Sequence, residues 1–180
     1  EPDVEPDQVV TLAEITMCNL RAEGGEIDLR DFIARADTLA ACGMTVLISD
    51  YFEYYRLAAY FARYTKKKIG ITMGAGSLYQ LFDEKYYSTL DGGILESFGR
   101  LFKNDLKLYI YPLLDQSTGA LTTVQNLQVS PDLRKLYEHL VDRGCILQLE
   151  AFDPKHLSTF SREILKQIQS GDMEWVKHVP

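Results

Sequence analysis

Long apolar runs are missing from this chain. None approaches the roughly 20 residues that a helix needs to cross a bilayer, and no signal-peptide pattern opens it. A basic surplus is missing too: 19 Lys and Arg stand against 26 Asp and Glu, for a net charge of −7. Nucleic acid and anionic membrane surfaces both attract a basic face, so this balance argues against either as a partner. Cysteine is scarce. Cys18, Cys42 and Cys145 are too few and too scattered for a disulfide framework or a metal cluster, and they read as reduced thiols in a cytoplasmic protein. Catalytic signatures are lacking as well: there is no Gly-Lys-Ser/Thr P-loop, no Gly-x-Ser-x-Gly elbow and no Asp-x-Asp pair.

What is present suits one compact domain. The chain has 180 residues, 46% of them hydrophobic and 25% charged, which is enough for a sizeable core. Residues 1–8 are acidic, hold two prolines and read as a linker or frayed arm. Residues 9–180 read as a single α/β domain. The start at Glu1 rather than Met suggests a fragment, a processed product or an excised domain.

The stretch from Met44 to Asp83 organises the rest. Met44 to Ser49 is a continuous apolar run, as expected of a strand covered on both faces, and Phe52 to Thr65 is an aromatic helix. Lys67 to Met73 is the next strand, closed by Gly74-Ala75-Gly76, with Ser77 placed to cap a short helix through Phe82. Before this unit, Val9 to Leu20 is open between strand and short helix, Arg21 to Glu26 is a turn, and Asp28 to Ala41 has helical spacing.

After it come a helix over Ile94 to Phe102 and a strand over Leu106 to Tyr111. Pro112 to Val129 is irregular, with room for a short hairpin. Ser130-Pro131-Asp132 opens a helix that ends at Gly144. Cys145 to Leu149 is a last, edge strand, and Asp153-Pro154 opens a final helix to Ser170, stopped by Gly171. Trp175 in the tail is expected to anchor back on the body. The alternation implies a mostly parallel, Rossmann-like sheet with helices on both faces.

Several stretches also carry a family resemblance. They are Val9–Met17, Arg56–Tyr60 with Arg63–Thr65, Leu81–Tyr87, Gly92–Asn104, Leu108–Pro112, and the closing Phe-Ser-Arg-Glu-Ile-Leu and Ser-Gly-Asp-Met-Glu-Trp. Together they resemble the C-terminal region of a family of larger bacterial and cyanobacterial proteins, labelled nicotinate- or nicotinamide-nucleotide adenylyltransferase or TonB-dependent receptor. The resemblance covers nearly the whole chain from Val9 and implies a further N-terminal portion. The first label implies phosphate or nucleotide chemistry. Nucleotidyltransferases of that type carry a His-x-Gly-His pair, and His139, His156 and His178 lie in no such motif, so such chemistry would rest on other residues. The second label needs a β-barrel of alternating strands, which a chain alternating strands with helices does not supply.

The candidate site lies at the expected strand ends. Gly74, Gly76 and Ser77 follow a strand and open a helix, where backbone N–H groups can approach a phosphate. A tight turn explains the same residues, and Tyr79 stands where the third glycine of a dinucleotide fingerprint belongs. Ser49 and Asp50 end the preceding strand and suit a phosphate, a ribose or a metal, or else cap the next helix. Arg56 or Lys68 would neutralise charge. Asp50 and Asp83 are weak candidates for Mg beside a bound phosphate, with solvated helix-end charges as the plainer account of Asp83 and of Asp91-Gly92-Gly93. Seven aromatics between Tyr51 and Tyr64 read as core or partner interface.

Two functions follow. One is a domain binding a phosphorylated or nucleotide-like small molecule; if it is an enzyme, the chemistry is nucleotidyl transfer or phosphatase-like. The other is a non-catalytic interaction or oligomerisation domain, packed on the N-terminal region or on a second copy as a homo-oligomer.

Overall fold

In the computed structural model, residues 4–17, 28–115 and 118–178 are described. The chain divides into two compact units, Glu1–Leu57 and Ala58–Pro180. The mixed α/β class holds, with small sheets that are largely parallel.

In the first unit the ambiguous Val9–Leu20 stretch resolves as a strand over Leu12–Thr16 (β1). Alternate burial of its side chains favours that choice over a short helix. Residues 18–20 and the expected turn at 21–26 lie outside the described residues. Helix α1 spans Leu29–Ala41. The Asp28 side chain caps it by accepting from the N–H groups of Arg30 (2.9 Å) and Asp31 (3.2 Å), a contact worth about 1 kcal/mol. Gly43, at φ 80°, then turns the chain where a side chain would be strained.

Strand β2, Thr45–Ser49, runs parallel to β1 in register from Leu12↔Thr45 to Thr16↔Ser49. The expectation that this strand is covered on both faces is wrong. Thr45 and Ile48 are exposed, Val46 and Leu47 are half-buried, and only Ser49 is buried. Among the described residues its one ladder partner is β1, and Ile48, 52% exposed, leaves one face of the strand open.

Helix α2, Tyr54–Tyr64, starts in the first unit and continues into the second. Tyr55, Leu57 and Ala58 are its buried positions, while Tyr64 is exposed.

The second unit holds a three-stranded parallel sheet in the order β3 (Gly70–Gly74), β4 (Lys107–Tyr111), β7 (Ile146–Gln148). β4 alternates as its sequence requires. Leu108 and Ile110 are fully buried, and Lys107, Tyr109 and Tyr111 are half-buried. Burying each of the two aliphatic side chains contributes about 2 kcal/mol.

Helices α3 (Ala75–Leu81), α4 (Gly93–Leu101) and α5 (Arg134–Asp142) add to this core, together with buried residues of the connecting segments such as Phe82, Tyr87, Val124 and Leu133. Phe82 packs edge-on against Phe98 and Tyr137 at 4.9 and 5.2 Å between ring centroids. The expected hairpin is β5 (Leu113–Leu114) with β6 (Leu121–Thr122). β7 is an edge strand, as expected.

Three helix starts differ from expectation. Ser77 is not a cap: α3 begins at Ala75, with Gly74 as the capping residue and no side-chain cap. Ser130 makes no cap bond either, and Pro131–Leu133 forms a 3-10 turn before α5. The final helix is broken. Pro154–Ser158 is a 3-10 turn capped by Asp153, extended backbone at Thr159 and Phe160 follows, and α6 spans Ser161–Ser170. Gly171 ends α6 at φ 74°, as the sequence implied. Trp175 is half-buried in a turn over Met173–Lys177 that packs beside α6.

Among the described residues the strands form the ladders β1-β2 in the first unit and β3-β4-β7 and β5-β6 in the second, each smaller than the sheet expected over residues 9–180.

Candidate functional site

At the C-terminal end of the β1–β2 pair the structure builds a polar cluster that only partly matches the predicted one. Parallel register puts Glu14, Thr16, Leu47 and Ser49 on one face, because partnered residues and their i+2 neighbours share a side. The buried Ser49 hydroxyl donates to the Glu14 carboxylate. It also accepts from the Tyr51 N–H at 3.3 Å. Thr16 Oγ1 donates to the Tyr51 carbonyl at 2.8 Å, and the Met17 N–H donates to the Ser49 carbonyl at 3.0 Å. Tyr54, in the first turn of α2, has its phenol pKa pushed up, first by burial and then by the Glu14 charge.

These bonds lock the chain as it leaves β2 toward α2. Ser49 acts within that lock, on Tyr51 and Glu14. Asp50 beside it is exposed. Arg56 is exposed and sits 3.3 Å from Glu53 with its guanidinium over the Tyr55 ring, so its charge already has a carboxylate and an aromatic partner.

Glu14 and Tyr54 escaped the sequence reading. The signal for Glu14 was its place as the one carboxylate inside the otherwise uncharged run Val9–Met17.

The other half of the predicted site belongs to the second unit. Gly74 ends β3 at φ −75° and ψ 157°, an ordinary extended conformation. A Cβ added at Gly74 or Gly76 would meet nothing within 4 Å. Neither backbone conformation nor packing therefore demands glycine at these two positions. Ala75 and Leu78 are buried and seat α3, and Ser77 is half-buried in its first turn. Lys68 is exposed, ahead of β3. Ser49 and Asp50 thus close the β1–β2 ladder, while Gly74, Gly76 and Ser77 follow the β3–β4–β7 ladder.

The acidic candidates have structural work. Asp83 accepts from the Lys85 N–H at 3.2 Å and pairs with its ammonium, and the hydrogen bond from Lys85 is the main cause of a lowered Asp83 pKa. At Asp91-Gly92-Gly93, Gly93 has φ 53°, and the Gly92 N–H donates to Glu96 Oε2 at 2.9 Å. A side chain at Gly92 would press on Glu96 at 2.7 Å, so that glycine pair serves the start of α4. His139, His156 and His178 are all exposed. Among the described residues, no group of three His, Cys, Asp or Glu side chains could hold a metal ion, and Asp50 and Asp83 are not joined into one. No helix among them is long and apolar enough to cross a membrane.

Comparison with protein-family models, curated proteins and solved structures finds no match to this chain.

Proposed function

We propose that the chain is a non-catalytic interaction domain whose first unit packs against further polypeptide. One observation carries this reading: the apolar surface of the first unit is left open. Val10, Leu29, Ile33, Met44, Ile48 and Phe52 are between 45% and 77% exposed, while among the described residues of the unit Phe32 is the buried hydrophobic one besides those of α2. Parallel sheets are otherwise buried on both faces, and apolar side chains left open on and around one favour association with further polypeptide. Operation as the C-terminal part of a larger cytoplasmic protein fits this reading.

Charge placed on α1 tests it. Leu29→Lys with Ile33→Lys should reduce self-association of the full chain, read by sedimentation velocity, while the melting temperature stays within about 2 °C, since neither side chain is buried. Equal behaviour of the two proteins, both as single chains at every concentration, would overturn the reading.

A second reading has its own support: glycine at 74 and 76 without a conformational or packing need leaves room for a phosphorylated or nucleotide-like ligand, with or without Mg. Thermal-shift screening with nucleotides, nicotinate derivatives and sugar phosphates tests it. A ligand at about 100 times its Kd stabilises by about 2.7 kcal/mol. Gly76→Val should remove that shift.

A further inference from the structure

The outer edge of β2 carries a more specific message, which rests on the interaction reading above. In the parallel ladder the Met17 N–H reaches the Ser49 carbonyl, with Thr16 opposite Ser49. Parallel geometry then aims the N–H and C=O groups of Thr45, Leu47 and Ser49 at β1. Those of the alternate residues, Val46 and Ile48, point to the opposite side. Among the described residues β2 has a ladder with β1 alone, and no turn, loop or cap hydrogen bond reaches these two residues, although each is an obligatory donor and acceptor. The Ile48 side chain beside them is 52% exposed. Natural edge strands are blunted by proline, lysine, bulges or inward charge; Met44 to Ser49 has none of these.

We infer that this edge pairs with the same edge of a second copy, antiparallel about a two-fold axis at Leu47. That axis sets Val46 opposite Ile48 of the second copy, and Ile48 opposite its Val46. Each such pair exchanges both of its backbone hydrogen bonds, as opposed residues do in a closely spaced antiparallel pair. Met44 then faces Asp50, so no like charges meet. Two β1–β2 pairs become one four-stranded sheet in the order β1-β2-β2-β1.

Charge selects this edge over that of β1. β1 carries Glu14 and follows a segment with Glu5 and Asp7, so self-pairing there would add acidic side chains to a chain already at −7. The β2 segment from Met44 to Ser49 is uncharged and self-complementary.

The test uses the full chain in sedimentation velocity and light scattering over about a hundredfold concentration range, where mass action must move a dimer equilibrium. The mass should rise to twice that of one chain. Val46→Pro removes an N–H that β1 does not use, and Ile48→Lys puts charge on the open edge. Each should return the mass to one chain with the circular dichroism spectrum unchanged. On association, hydrogen exchange should slow at the Val46 and Ile48 amides and stay constant at Leu47.

A single-chain mass throughout for the unmodified protein would overturn the inference. A two-chain mass that survives both substitutions would also overturn it and move the interface elsewhere, leaving the interaction reading to the α1 lysine variants. If Val46→Pro unfolds the protein, Ile48→Lys and the exchange pattern decide.

Discussion

Gly70 offers a substitution whose sign should reverse with its neighbour. It opens β3 opposite Lys107 of β4, diagonal to Tyr109 two residues further along, and a Cβ placed there would lie 2.7 Å from Tyr109 Cε2 and 3.1 Å from Cδ2. The ring therefore covers the glycine across the strand pair, the way an aromatic residue compensates a glycine at a sheet edge. Gly70→Ala must displace that ring, and overpacking of this kind costs about 1–3 kcal/mol. Removing glycine also restricts the unfolded chain, which returns about 0.4–1 kcal/mol where the backbone tolerates alanine. Gly70 does not have a positive φ, so that gain applies. The net expectation is destabilisation by about 1–2 kcal/mol, or about 2–8 °C in melting temperature for a protein of this size. In a Tyr109→Ala background the obstruction is gone, and Gly70→Ala should stabilise by about 0.5 kcal/mol. Urea unfolding of the four proteins closes the cycle. The same sign and size in both backgrounds would refute the contact between Tyr109 and Gly70 as the cause.

Tyr137 donates to the Val124 carbonyl at 2.6 Å, and burial pushes its pKa up to about 12. Tyr137→Phe should cost about 1–2 kcal/mol in denaturant unfolding. Because the folded pKa lies above the unfolded value near 10, the folded state holds the proton longer. Stability from this group is therefore complete below pH 10 and declines as pH rises toward about 12, a slope that Tyr137→Phe should remove. Glu14→Gln should lower the Tyr54 pKa, measured by tyrosinate absorbance, without returning it to 10, because burial is the larger cause and the Glu14 charge the smaller. An unchanged Tyr54 titration would refute the proximity of the two groups.

Elements governed by local rules were legible in the sequence. Alternation in Leu106–Tyr111 gave β4, and the Asp28 start with the Cys42-Gly43 stop gave α1. Glycine at φ 74° ended α6 where Gly171 stands. Capping was less legible, since Ser77 and Ser130 are both good caps by type and neither caps. At residue 77 the apolar positions Ala75, Leu78 and Leu81 draw the helix start two residues earlier, onto a glycine with no side chain to offer. Thr159 and Phe160 broke the last helix although proline and an acidic cap stood at its expected start. The Asp153 bond to Lys155 completes a 3-10 turn there, and the backbone then extends. Ser49 was found, but its partner Glu14 lies 35 residues away, a distance that only the β1–β2 register closes. A continuous apolar run such as Met44–Ser49 states that a strand wants cover, without stating whether the same chain provides it.

That last ambiguity separates the two units physically. In β3-β4-β7 the central strand has partners on both sides, and its inward residues Leu108 and Ile110 are wholly removed from water. Among the described residues the β1–β2 ladder has no central strand. β2 turns the backbone groups of Thr45, Leu47 and Ser49 toward β1 and those of Val46 and Ile48 away from it, and two strands alone are marginal in water even when their side chains are well chosen. α1 contributes one buried aromatic residue, Phe32, and leaves Leu29 and Ile33 open. A hydrogen bond from Ser49, at the end of β2, to Glu14, in the middle of β1, ties the two strands together but removes little apolar surface. Further apolar burial must therefore come from contacts beyond those of the ladder. Adding a strand at Val46 and Ile48 supplies backbone partners and covers Ile48 in the same step, whereas a small ligand at the strand ends supplies neither.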